Sequence, residues 1–402
     1  MAQPDAGGND ELPRTADVVV IGGGIVGAAS AFWLARAGLR PVLIERAAAL
    51  ATATTAASAH CVRAQFAEPE NIAMMRESLA IITDFPAVLG LAPAEADVGF
   101  RQQGYLFAST NPKQIAAFAA RVELQRSLGL DDVELIDGDE TRRRYPWLAP
   151  EIVVATFRAG DGWLDGCRAA NLFARASGAA VHLDTRVLAI ERVDGRVQGV
   201  RTNRGRVATE TVVLATGPFA AELAPEPLPI SLLRRHRVIV APSPMVPQQA
   251  PLTIDADSGA HWRPHHGGAL LAWGRPEAPS PATFPVVPDP GFPNLVLHDP
   301  LGVGRLSPFW RDLAPTLPRS AIDLVAGQYT MTPDHKPLIG PAAETIGLWL
   351  HTGYSGHGIM GSPSGARLLA DLITQRVGPT ENPFHPGRFA GGAMPEAEPM
   401  LL

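Results

Sequence analysis

The sequence predicts an α/β fold, α+β over its whole length, in which a parallel-sheet domain carries an inserted, mostly β region. Three observations carry this prediction. An apolar run, Val18–Ile21, leads into glycines and an apolar helix, and a second apolar run follows at 41–45. Runs of the same kind return far along the chain at 212–215 and 348–351. Between residues 225 and 318 the composition shifts: half of the 38 prolines fall there, with strand-like pieces but no long helical period.

The elements follow in order. Val18–Ile21 has the fully apolar character of a strand buried on both faces of a parallel sheet. The helix after it ends near Ala37, with Gly38 suited to the position just beyond a helix C-terminus. Residues 41–45 complete a βαβ unit. Residues 70–89 and 113–128 read as helices, and 164–177 as another, with Ser362 and Pro363 as the cap and first-turn proline of a helix over 364–376. Strands at 181–192 and 197–202 are joined through Asp194-Gly195, a strong hairpin signal. The expected organisation is a flexible tail at 1–16, a discontinuous nucleotide-binding domain at 17–85, 155–222 and 325–389, an inserted domain at 86–154 and 223–324, and a flexible tail at 390–402.

Bulk properties exclude several classes. Hydrophobic residues make up 46% of the 402 and charged residues 18%, which describes a globular protein. A net charge of −6 argues against nucleic acid as a partner. The two cysteines, Cys61 and Cys167, lie far apart without metal-ligand spacing, so no disulfide framework or metal site is expected, and a reducing cytoplasm is the simpler home. The polar, acidic N-terminus lacks the character of a signal peptide. The stretch 18–35 is apolar, but three glycines interrupt it, and no membrane span is expected.

Gly22-Gly23-Gly24-Ile25-Val26-Gly27 satisfies Gly-x-Gly-x-x-Gly between a strand and a helix. The first glycine makes the turn, the second lets backbone approach a pyrophosphate, and the third lets helix and strand pack closely. The helix N-terminus offers free N–H groups to phosphate. Glu45, at the end of the next strand and followed by Arg46, stands where an acid would take a ribose hydroxyl. This Rossmann-type motif does not separate FAD from NAD.

Two C-terminal stretches go further: Gly327-Gln328-Tyr329-Thr330-Met331-Thr332-Pro333-Asp334-His335-Lys336-Pro337-Leu338-Ile339-Gly340, and Thr352-Gly353-Tyr354-Ser355-Gly356-His357-Gly358-Ile359-Met360-Gly361-Ser362-Pro363. With 62–66, 104–106, 161–165 and 215–218, they resemble the D-amino-acid oxidase superfamily, in its branch of sarcosine oxidase beta subunits, dimethylglycine dehydrogenases and glycine oxidases. The resemblance spans roughly residues 15–390 in order. It implies FAD held from both ends of the chain, by Gly22, Gly24, Ile25, Val26, Gly27, Glu45, Arg46, Ala215, Gly217, Gly353, Ser355, Gly356, His357, Gly358, Ile359 and Met360, with the inserted domain over the substrate.

The resemblance also supplies catalytic candidates. Arg63 matches an arginine that binds a substrate carboxylate in monomeric sarcosine oxidases, and a guanidinium suits that task. His60 stands where relatives carry glycine or an arginine; it is a candidate to orient substrate, tune the amine or anchor the flavin, although the histidine used by dimethylglycine dehydrogenases is offset by two. Gly327 replaces the cysteine that anchors flavin elsewhere, so non-covalent FAD is expected. His261 is a candidate to face the amine, and His357 to support the flavin edge. Asp334 is expected to hold its loop. The oxygen-activating lysine of such oxidases is missing, since only Lys113 and Lys336 occur. Met360 replaces a second carboxylate-binding lysine.

The implied function is oxidation of the C–N bond of a small secondary or tertiary amine or N-methyl amino acid, by hydride transfer to flavin N5 and hydrolysis of the imine. O₂ or another acceptor would reoxidise the flavin, and the oligomeric state stays open. The alternatives are a flavin-binding subunit of a hetero-oligomeric amine dehydrogenase, or a flavoprotein without amine oxidase activity. A disulfide reductase is excluded by the missing cysteine pair.

Overall fold

The computed structural model describes residues 11–390. In the strand Val18–Ile21 the side chains alternate between two apolar clusters, Val18 and Val20 in one, Val19 and Ile21 in the other. Burial on both faces is what the all-apolar run predicts. The strand sits inside a six-stranded sheet of order 338–341, 348–352, 212–214, 18–21, 41–44, 180–182. All neighbours are parallel except Leu338–Pro341, which runs antiparallel to Leu348–Thr352. Helices Ile25–Arg36, Gly166–Ser177 and Gly358–Ile373 pack together over one face. A three-stranded antiparallel sheet, Val187–Val193, Arg196–Thr202 and Gly205–Ala208, covers the other. Its first hairpin turns at Asp194 and Gly195, with φ of 48° and 75°, the left-handed pair such a turn requires.

An eight-stranded sheet forms the second layer system, in the order 322–331, 231–240, 268–273, 260–265, 252–255, 105–109, 154–158, 134–137. Its pairs are antiparallel except Leu252–Asp255 beside Tyr105–Ser109. Strands Val154–Arg158 and Ile322–Met331 lie wholly in this sheet, so the sequence boundaries at 154/155 and 324/325 cut through elements. Strand Ile322–Met331 then hands the chain to the six-stranded sheet through Thr332-Pro333-Asp334. That turn is fastened from outside: Asp334 accepts from Arg388 Nε at 2.7 Å and Nη2 at 3.0 Å, while Lys336 Nζ reaches Glu68 at 3.0 Å and Glu70 at 2.5 Å.

Four sequence expectations are corrected. The 70–89 helix is two helices, Pro69–Thr83 and Phe85–Leu89, because Pro86 has no N–H to continue the ladder across Asp84. The 181–192 strand breaks after His182: Asp184 turns left-handed (φ 49°), sending Ala180–His182 to the parallel sheet and Val187–Val193 to the antiparallel one. The last helix begins at Gly358, not near Ser364, and carries Pro363 inside it. Ser78 of helix Pro69–Thr83 accepts the Ser364 N–H at 3.1 Å, taking up a donor where the proline disturbs the ladder. Finally, Arg14–Ala16 are tied to Ala208 by backbone hydrogen bonds, so this part of the expected tail is held. The tail calls at 1–10 and 391–402 lie outside the described residues. Among the described residues, no helix is long and apolar enough to cross a membrane.

Candidate active site

Gly22 ends the first strand with φ 106°, and a Cβ there would lie 2.6 Å from the Ala215 carbonyl oxygen. Glycine is therefore required for the close approach of the two strand ends. A Cβ on Gly27 would lie 1.9 Å from Gly22 O, so this glycine lets the helix settle onto the turn. Helix Ile25–Arg36 has no acidic residue in its first turn, leaving its positive end for an anion. Thr55 Oγ1 accepts the Ile25 N–H at 3.1 Å. Glu45 closes the turn from the next strand, accepting from Gly23 N–H at 2.7 Å and Ala47 N–H at 2.8 Å.

A cavity of about 450 Å³ runs from this turn to the eight-stranded sheet. Of the residues expected at the cofactor, Gly22, Gly24, Ile25, Val26, Glu45, Arg46, Ala215, Gly217, Gly353, Ser355, Gly356, Gly358 and Ile359 line it. Gly27, His357 and Met360 do not; Gly27 acts through helix packing, Met360 is buried behind the wall, and His357 is half-buried beside Phe66. Arg46 covers the nucleotide end, its guanidinium 3.7 Å from the Phe219 ring centroid and 5.5 Å from that of Phe284. At the wall between the chain's two ends, Tyr354 O–H meets His351 Nε2 at 2.6 Å, and His351 Nδ1 meets Ser30 Oγ at 2.7 Å. Ser30 donates to Val26 O at 2.8 Å, so its oxygen accepts the His351 Nδ1–H, and the tyrosine donates to Nε2. Burial holds His351 neutral, its pKa pushed down to about 3.

The far end of the cavity is one face of the eight-stranded sheet. Register places Arg237 beside Ala272 and Ala272 beside His261, a row that lines the cavity, while Arg235 stands beside Gly327. Burial pushes His261 down to about 4, so it is neutral. Its Nδ1 lies 2.9 Å from Gly259 O. A carbonyl only accepts, so Nδ1 carries the proton and Nε2 is left as an acceptor. Arg237 donates to Ser58 O, and Arg263, on the same sheet face, donates to Ala59 O at 2.9 Å. Tyr329 packs against the Gly356 backbone, where a Cβ would lie 2.4 Å from its ring.

Residues 17–372 match the family model described as DAO, FAD dependent oxidoreductase. The chain belongs to this family. FAD-dependent oxidoreductase domain-containing protein 1 of Xenopus laevis is 26% identical over 410 residues, covering 90% of this chain and 80% of that protein. Mitochondrial sarcosine dehydrogenase of Mus musculus is 28% identical over 378 residues, covering 88% of this chain and 39% of that protein. Among solved structures, L-proline dehydrogenase from P. horikoshii is similar with a TM-score of 0.83 and 27% identity, over 96% of this chain and 100% of that one.

The cofactor of this oxidoreductase is FAD, and the residues fit it. The glycine turn would receive the pyrophosphate at the helix N-terminus. Glu45 would take ribose hydroxyls. The Gly353–Gly358 turn, with left-handed backbone at Gly353, Ser355 and Gly356 (φ 73°, 49° and 95°), would present N–H groups to the ring.

Three of the four catalytic candidates lie off the cavity wall; only His261 lines it. His60 has both ring nitrogens engaged, Nε2 with Thr55 O at 2.9 Å and Nδ1 with Gly166 N–H at 3.3 Å, and burial lowers it to about 4. Arg63 is buried, donates to Gln65 O and lies 3.9 Å over the Phe66 ring. His357 stands edge-on to Phe66 with centroids 5.0 Å apart, and burial lowers it to about 3. Sequence reasoning missed Thr55, Arg235, Arg237, Tyr329 and His351. A period-two arginine pair in Arg234-Arg235-His236-Arg237 was the available signal for two of them.

Proposed function

We propose that this oxidoreductase oxidises the C–N bond of a small secondary or tertiary amine or N-substituted amino acid, bound between the flavin and the row His261–Ala272–Arg237. The observation that carries the reading is a single cavity joining the dinucleotide turn to a neutral histidine acceptor and cationic side chains. Bound FAD supplies a hydride acceptor for the carbon next to nitrogen. For a secondary amine, His261 Nε2 accepts the N–H and so orients that carbon. Its low pKa suits it to accept a hydrogen bond and makes it a poor proton abstractor near neutral pH, which agrees with hydride transfer from an unprotonated amine. Arginines at the same end disfavour an ammonium ion.

We also propose that FAD is held non-covalently, because His60 is occupied by Thr55 and Gly166, and Gly327 stands tight against Ala57, where a Cβ would lie 2.8 Å from Ala57 Cβ. Neither lysine lines the cavity, and Lys336 is committed to Glu68 and Glu70. The two free thiols suit a reducing compartment, and the cytoplasm is the proposed location.

The test is a flavin spectrum before and after acid precipitation, then anaerobic and aerobic mixing with a panel of amines. Soluble flavin after precipitation supports non-covalent binding. Anaerobic bleaching by an amine supports the function, and peroxide formed in air separates an oxidase from a dehydrogenase. A flavin that no amine bleaches overturns the reading.

A further inference from the structure

The substrate end of the cavity carries more positive charge than one monoanion needs. Arg235 and Arg237 are two residues apart on strand Ser231–Val240, so both project from one face, roughly 7 Å apart along the strand. The positions beside them in the sheet are Gly327 and Ala272, and these small residues leave room above each guanidinium. The Nε atoms of both arginines are buried without a hydrogen-bond partner. A buried donor left unmatched is unfavourable until something accepts from it.

Among the described residues, no carboxylate pairs with Arg237, and Arg235 has only a distant one. The lining acids are Glu45 and Glu222, and Glu45 is committed to the dinucleotide turn. Glu277 approaches Arg235 only at 3.8 Å, while its other oxygen accepts from Arg234 at 3.0 Å and 3.1 Å. Arg237 is flanked by a further cation, Arg263. Since the pyrophosphate belongs to the Gly22–Gly27 turn, these cations are left for the substrate.

We infer that the substrate is an amine bearing two carboxylates, an N-methyl dicarboxylic or N-carboxymethyl amino acid, with Arg235 and Arg237 each taking one. This rests on the reading of the cavity as the amine site. Guanidinium groups suit paired carboxylates through bidentate contacts. The nitrogen between the carboxylates would then face the neutral His261.

The test titrates the FAD-loaded protein with succinate and with propionate, neither of which carries an amine, and follows the flavin difference spectrum at low salt. Succinate is expected to bind at least about tenfold more tightly, a difference of one well-placed charged contact. Arg235→Met and Arg237→Met should each abolish that preference. Arg235→Lys and Arg237→Lys, which keep the charge and protect against misreading a folding defect, should retain most of it. Equal binding of the two acids by the parent protein, or a preference that survives both Met variants, overturns the inference. A succinate preference in a flavin that no amine bleaches would support the dianion site and sink the amine reading. Bleaching by sarcosine as fast as by iminodiacetate or N-methylglutamate would do the reverse.

Discussion

Ser30, His351 and Tyr354 make a buried chain that joins the first glycine motif to the last, and Ser30→Ala tests whether that chain holds the FAD site. Ser30 and His351 are both fully buried, and the ring uses each nitrogen once. Removing the serine hydroxyl leaves His351 Nδ1–H without an acceptor, which costs about 1–3 kcal/mol. Alanine regains about 0.5 kcal/mol through helix propensity. The net loss is then about 0.5–2.5 kcal/mol in a urea titration at saturating FAD. Tyr354→Phe takes away the donor to Nε2 and leaves only a lone pair unmatched, so its loss is smaller, about 1 kcal/mol. Both substitutions act through one ring, so the double variant should depart from additivity by at least about 0.5 kcal/mol. Val26 and Tyr354 both line the cavity, so FAD affinity should fall alongside stability. Single variants within about 0.5 kcal/mol of the parent, the range of ordinary surface substitutions, together with strict additivity would refute the role of the chain.

Two further outcomes follow from geometry. Gly27→Ala would press a Cβ to 1.9 Å from Gly22 O, so strand end and helix must separate by about 1 Å or more, and overpacking of this kind costs about 1–3 kcal/mol; the variant should purify largely free of flavin, and a full complement of FAD would contradict it. Asp161→Asn attacks the fully buried carboxylate that receives Ala64 N–H at 3.0 Å, Gln65 Nε2 at 3.1 Å and Arg158 Nη1 at 2.6 Å. The amide would turn a donor towards donors, and because Arg158 keeps Asp132 at 2.8 Å the loss should be about 2–4 kcal/mol by denaturant unfolding.

The N-terminal motif was legible because much of its constraint is local: the Gly27 approach to Gly22 is set within two turns of chain, although Gly22 itself answers to Ala215 on a strand far along the sequence. The two-faced burial of Val18–Ile21 was legible for the same reason, from composition alone. The start of the last helix was not, since Ser362-Pro363 imitates a cap while the acceptor that accommodates the proline, Ser78, comes from 286 residues away. His60, Arg63 and His357 were placed by resemblance near the flavin. Sequence order brings such residues to a wall without saying which side they face, and His60, with φ 60°, turns its ring to Thr55 and Gly166. Arg235 and Arg237 were missed because their partners, Gly327 and Ala272, become neighbours only through sheet register.

The charge pattern of the cavity fixes how the reaction should respond to pH. His261 is held down to about 4 by burial, so it stays a neutral acceptor throughout the ordinary working range and is lost only as pH falls through about 4. His60 and His357, also depressed by burial to about 4 and about 3, do not titrate near neutrality either. The substrate amine then sets the profile, because its cationic form is disfavoured by Arg235 and Arg237 at the same end of the cavity. The expected kcat/KM therefore rises about tenfold per pH unit from about pH 5 towards the amine's own pKa, without a break at 6–7. Replacing one amine by another of lower pKa should move the whole profile down the pH axis by that difference. A limb near pH 6.5 that stays fixed when the amine is changed would place an ionising histidine in the reaction, and the neutral-acceptor role of His261 would fall with it.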